Sequence, residues 1–116
     1  MNKLIMAFIL LQCGNLFAKE VSKDQEQNCL NAMAISEAAM AIRQNGLPLA
    51  EALNNLNKMV AKGESTEKEA SLVKLILRDA YSKPKFSTES NKKESINEFS
   101  ANYYLACMEG YESINK

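Results

Sequence analysis

The chain has 116 residues, 47% of them hydrophobic and 24% charged, with 14 basic residues against 14 acidic ones. That length suits one domain, and a balanced charge suggests neither a nucleic-acid binder nor a protein drawn to an anionic membrane surface. Histidine is absent, so Ser-His and Cys-His nucleophile systems cannot be built, and the glycines are scattered rather than gathered into a phosphate loop.

The chain begins as an export signal would. Met1-Asn2-Lys3 is a short positive start, Leu4 to Leu11 is an unbroken apolar run, and Leu16-Phe17-Ala18 before Lys19 offers a small residue for a signal peptidase. The expectation is a signal peptide over 1–18 and a single helical domain over 19–116. A membrane-spanning helix needs about 20 apolar residues. The run is much shorter, so no membrane span is expected after cleavage and the mature protein is placed in the periplasm or secreted. The alternative is a lipoprotein anchored at Cys13, although Gln12 stands where that processing signal wants a small residue. Cleavage removes only Lys3 among the charged residues and leaves a mature charge of −1.

Four helical stretches follow, and no strand alternation competes with them. The first is predicted from about Asp24 to Gln44, capped by Ser22 or Asp24 and ended by a left-handed turn at Asn45-Gly46. Ala32, Ile35, Ala39 and Ile42 share one face, while Ala34, Ala38 and Ala41 keep the other side small, which places this helix at the centre of a bundle. Arg43 suits the helix C-terminus as a cation with a partly buried stem; anion binding is the other reading.

A second helix is predicted from Pro48 to Lys62, with Pro48 in its first turn, a stripe of Leu49, Leu53, Leu56, Met59 and Val60, and Gly63 as terminator. Thr66 and Glu69 have the spacing of a capping box and open a third helix to about Ser82. Ala70, Val73, Ile76, Leu77, Ala80 and Tyr81 are spaced for burial, and Leu72 and Leu75 widen that stripe toward a second neighbour. Met33, Met40, Met59 and Met108 lie at helical spacings expected of core filling.

Ser82 to Ser90 is the one substantial irregular segment. The last helix is predicted from Glu89 or Asn91 to Glu109, with Gly110 as its end. Ile96, Phe99, Tyr103 and Cys107 form its buried face.

Cys29 and Cys107 are the two thiols of the mature chain, an even number in a compartment where disulfides persist. They are expected to be bonded, which requires the first and last helices to run antiparallel side by side. With no His and no Cys-x-x-Cys spacing, no metal site is expected, and no cofactor. No carboxylate pair is isolated in an apolar setting fit for acid catalysis, so no catalytic residue is assigned and the protein is expected not to be an enzyme.

Partner-binding candidates are Lys83, Lys85, Phe86, Tyr104 and Tyr111. Phe86 is the apolar anchor of the irregular segment, flanked by Lys83 and Lys85, and it either plugs the end of the core or stays free for a partner. Tyr104 and Tyr111 lie off the buried stripe of the last helix, where they serve core-edge packing or an interface.

The layout Cys29-Leu30-Asn31-Ala32 through Ile42-Arg43-Gln44-Asn45-Gly46, followed by Cys107 on a terminal helix, resembles a broad group of small secreted proteobacterial helical proteins without assigned function. It is also similar to the periplasmic amidase-immunity proteins of type VI secretion systems, exported all-helical domains with an early and a late cysteine. That second resemblance implies binding and inhibition of a cell-wall hydrolase. The expectation is therefore an all-α, compact bundle of four helices held by one disulfide that works by contact with another protein. A periplasmic chaperone or envelope stress protein, and a structural or ligand-carrier domain, are the alternatives.

Overall fold

The computed structural model of the protein describes residues 20–115. The expected signal peptide and Cys13 lie outside the described residues. Four helices account for 79% of the described residues, and no strand occurs among them. They are α1 (Lys23–Gln44), α2 (Leu49–Ala61), α3 (Glu67–Tyr81) and α4 (Glu89–Ile114).

Local chemistry sets most of the helix ends. Ser22 caps α1 in a complete capping box: its hydroxyl accepts from the Gln25 backbone N–H, and the Gln25 side chain accepts from the Ser22 N–H. Thr66 caps α3 and Thr88 caps α4 in the same hydroxyl-to-backbone manner. Pro48 stands at the N-cap of α2, one residue before its first turn. Both α1 and α2 close in Schellman motifs. Gly46 (φ 86°) and Gly63 (φ 76°) take the left-handed position, and the next residues, Leu47 and Glu64, donate back to Ile42 and Met59.

The helices pack in the order α4, α1, α3, α2. The α1–α4 contact is the most extensive, followed by α1–α3 and α2–α3. Cys29 and Cys107 are disulfide-bonded with Cα atoms 5.5 Å apart, so α1 and α4 are antiparallel neighbours as the cysteine placement required. The register explains how two helices come so close. Ser36 lies two turns beyond Cys29 and Ser100 two turns before Cys107, so this pairing sets Ser36 opposite Ser100, and both serines are buried. Small side chains on the facing surfaces let the backbones approach. Each buried hydroxyl is satisfied within its own helix, Ser36 donating to the Met33 carbonyl at 2.8 Å and Ser100 to Asn97 at 3.1 Å.

Met40, Leu56, Ile76, Leu77, Ala80 and Phe99 belong to one core cluster, with Tyr103 packed against it. The Phe99 and Tyr103 rings meet at 5.0 Å. Tyr103 donates to the Asp79 carboxylate at 2.8 Å and so ties α4 to the end of α3. Burial, followed by the hydrogen bond to Asp79 and its negative charge, pushes the Tyr103 phenol up to about 12. The folded state thus holds this proton more tightly than the unfolded chain, whose phenol ionises near its ordinary value of about 10. Tyr103 contributes its stability in full below that value and loses it as pH rises through the folded one. Tyr103→Phe is expected to flatten the fall in Tm between about pH 10 and pH 12, measured by thermal scans across that range.

Gly110 predicts the end of the last helix, but α4 runs on to Ile114. Gly110 does not adopt positive φ, and a Cβ there would meet nothing within 4 Å. Tertiary contacts hold the extra turn in place of a local stop signal. Asn28 donates to the Tyr111 hydroxyl at 3.2 Å, and Asn115 exchanges amide hydrogen bonds with Gln25 and donates to the Glu20 carbonyl. Because the glycine serves no backbone purpose there, Gly110→Ala should stabilise the fold by about 0.5–1 kcal/mol, seen as a rise in the denaturant midpoint.

Candidate binding groove

Among the described residues, the order of packing leaves the surface between α1 and α2 uncovered. Helices α2 and α3 form an antiparallel hairpin through the Gly63 turn, while α1 packs on α3 and not to any comparable extent on α2. Between α1 and α2, above α3, lies an open trough of about 510 Å³. Ile35, Ala38 and Ile42 form its α1 wall, Leu56 and Met59 its α2 wall, and Leu72, Val73 and Leu77 line it from α3. Leu47 lies at the end where α1 turns into α2. Of the polar lining residues, Glu64, Ser65 and Glu69 belong to the opposite end, around the α2–α3 turn, and Asn55 stands midway along α2.

The trough overturns three sequence expectations. The spacing places Leu72 (49% exposed), Leu75 (59%) and Met59 (42%) on buried stripes, yet no helix among the described residues covers them. Leu72 and Met59 line the groove, and Leu75 is one turn along α3 from Leu72. Ala38, on the small second side of α1, is likewise exposed at the trough. The centre of the bundle is indeed α1, but only its α4 and α3 sides are covered.

The irregular segment is a second surface, and it is held rigidly. Gln44, fully buried at the last position of α1, donates from Nε2 to the Pro84 carbonyl at 2.8 Å and accepts through Oε1 from the Phe86 N–H at 2.8 Å. Its amide thus stands in for a strand edge. Arg43 donates from Nε and Nη2 to the Lys83 carbonyl at 3.2 and 3.1 Å, and its guanidinium lies 5.4 Å from the centre of the Tyr81 ring. Tyr81 in turn donates to the Leu47 carbonyl, and burial is the main cause that raises its phenol pKa, opposed by the Arg43 charge. The Arg43-Gln44 pair therefore serves as a clamp on residues 83–86.

The five partner-binding candidates do not form one patch. Phe86 is half-buried beside the clamp, and the exposed Lys83 pairs with Asp79 at 3.6 Å. Lys85 is exposed, with its Nζ over the Gly46 turn. Tyr104 and Tyr111 are half-buried on α4. Tyr111 meets α1 at Asn28 and Phe86 meets it at Gln44, which at the helical rise puts them about 24 Å apart along α1.

Among the described residues no group of three or more Cys, Asp or Glu comes together to hold a metal ion, and no helix is long and apolar enough to cross a membrane. In comparisons with known proteins, the chain matches no family model, no curated protein and no solved structure.

Proposed function

We propose that the protein is an exported binding domain that acts by contact with another protein through the trough between α1, α2 and α3, and that its specific task is to hold and inhibit a cell-wall hydrolase in the periplasm. The observation that carries the binding role is the trough itself: a concave, largely apolar surface with exposed Leu72 and Met59 along it. A concave apolar surface with a few polar groups at one end is the default place for a small domain to bind. The Cys29–Cys107 bond suits an oxidising compartment, in keeping with the leader-like start of the chain. The hydrolase as target rests on the resemblance to immunity proteins.

The test is a capture experiment with the oxidised protein immobilised, run in parallel with Ala38→Trp. Ala38 is exposed, so the indole fills the trough without entering the core. Extracts of the periplasm and of competing cells are passed over both. One hydrolase retained at stoichiometric yield by the wild type, lost on the variant, and inhibited in a cell-wall digestion assay is the expected result. Many unrelated clients would instead identify a chaperone. A hydrolase retained equally by both variants would move the contact to another surface.

A further inference from the structure

Resting on the reading of the trough as a protein-binding site, we infer that its occupant is an amphipathic helix of the partner, two turns of whose apolar stripe lie along the trough and whose end at the α2–α3 turn carries Lys or Arg.

Length argues for a helix. The α1 wall from Ile35 to Ile42 and the α3 side from Glu69 to Leu77 each extend about 10–12 Å at 1.5 Å per residue. That is two helical turns, the span of side chains at i, i+3, i+4 and i+7 that recur when a helix lies in a groove. Openness argues against a small molecule, which a protein site usually buries by 70–90%. Here Leu72 and Met59 stay open to solvent along the trough. Packing points the same way, because α1 and α2 both lean on α3 and leave between them the place that one more helix of a bundle would occupy.

Charge gives the occupant its direction. Three of the four polar lining residues, Glu64, Ser65 and Glu69, belong to the turn end, two of them are carboxylates, and among the described residues no Lys or Arg lines the trough. Glu69 accepts a hydrogen bond from the Thr66 hydroxyl at 3.1 Å, and among the described residues neither carboxylate is in an ion pair. A cation arriving at that end gains both carboxylates beside an apolar wall that excludes water, whereas an acidic end is repelled. A phosphate-bearing ligand is disfavoured for the same reason.

Anisotropy titrations with three fluorescein-labelled 18-residue helical peptides decide the matter. All three carry leucine at i, i+3, i+4 and i+7; one bears two lysines at one end, the second two glutamates there, the third two glutamines. With the oxidised protein the lysine peptide should bind about tenfold more tightly than the glutamate peptide at low salt, as two rim ion pairs exchanged for two repulsions imply. Added salt should narrow the gap. The double variant Glu64→Gln, Glu69→Gln should bring the three affinities together, and Ala38→Trp should weaken all three with Tm unchanged.

Equal affinities that are indifferent to the glutamine substitutions, yet still lost in Ala38→Trp, would overturn the cationic end and leave the trough standing as a peptide site. If no peptide binds, the helix is overturned. In that event a fatty acid that binds the wild type and not Ala38→Trp would make the occupant a small amphiphile, and a wild-type dimer in sedimentation that Ala38→Trp dissolves would make it a second copy. Absence of all binding would remove the trough from the function altogether.

Discussion

Replacing Cys107 by Ser should lower Tm by about 20 °C while leaving the helical signal at 25 °C close to wild type. The bond closes a loop whose ends are 78 residues apart, and the chain-entropy relation gives about 4.5 kcal/mol for a loop of this size. A domain of this length shifts by about 4–8 °C per kcal/mol, so the drop is large. Helix content survives because α1, α3 and α4 keep their own side-chain caps and the α1–α4 face keeps its buried contacts. Circular dichroism melts of the oxidised wild type and of Cys107→Ser make the comparison. A melting temperature unchanged by the substitution would show that the bond adds nothing that the packing of α1 on α4 does not already supply.

The second large effect is expected at Gln44. Leucine is close in volume and keeps the site filled, but it offers the Pro84 carbonyl and the Phe86 N–H nothing to bond. An abandoned buried polar group costs about 1–3 kcal/mol, and part of that is recovered where the exposed loop can turn toward water, so Gln44→Leu should cost on the order of 3 kcal/mol. The same variant should release residues 83–86, and trypsin then gains access to the bond after Lys85. Limited digestion followed by mass spectrometry reads this directly. Arg43→Ala is the informative contrast: its two bonds to the Lys83 carbonyl are exposed, and their loss should cost under about 1 kcal/mol. Equal losses from both variants would mean that the clamp works through Arg43 and not through the buried amide.

Where the fold was legible in the sequence, the signal was local. Ser22 and Thr66 announced helix starts, Asn45-Gly46 and Gly63 announced ends, and each acts through bonds within a few residues of itself. The cysteine pair was legible because, once Cys13 is read as part of a leader, Cys29 and Cys107 are the two thiols left to pair, and that pairing fixed the antiparallel course of α1 and α4. Gly110 misled because a glycine permits a left-handed stop without imposing one, and here Tyr111 and Asn115 are docked in helical continuation. Gln44 gave no sign at all, since the groups it satisfies lie 40 residues away.

The trough was illegible for a related reason. Leu72, Leu75 and Met59 have the spacing of any buried stripe, and periodicity reports which side chains share a face, not whether another helix covers it. Coverage follows from the packing order α4, α1, α3, α2, a property of the assembled bundle. A four-helix sequence leads one to expect a closed ring; this chain forms a row, and its second helix is held chiefly by α3.

That row also orders events in time. The α2–α3 hairpin is made of residues close in sequence, so its closure entropy is small, while the largest face of α1 stays uncovered until the last helix docks. For a helical domain the contact order is therefore dominated by one long-range pairing. Until α4 arrives, the facing side of α1, with Met40 and the unpaired Cys29, is open to any other chain in reach. The folding protein is most exposed to wrong cross-links and aggregation in that interval.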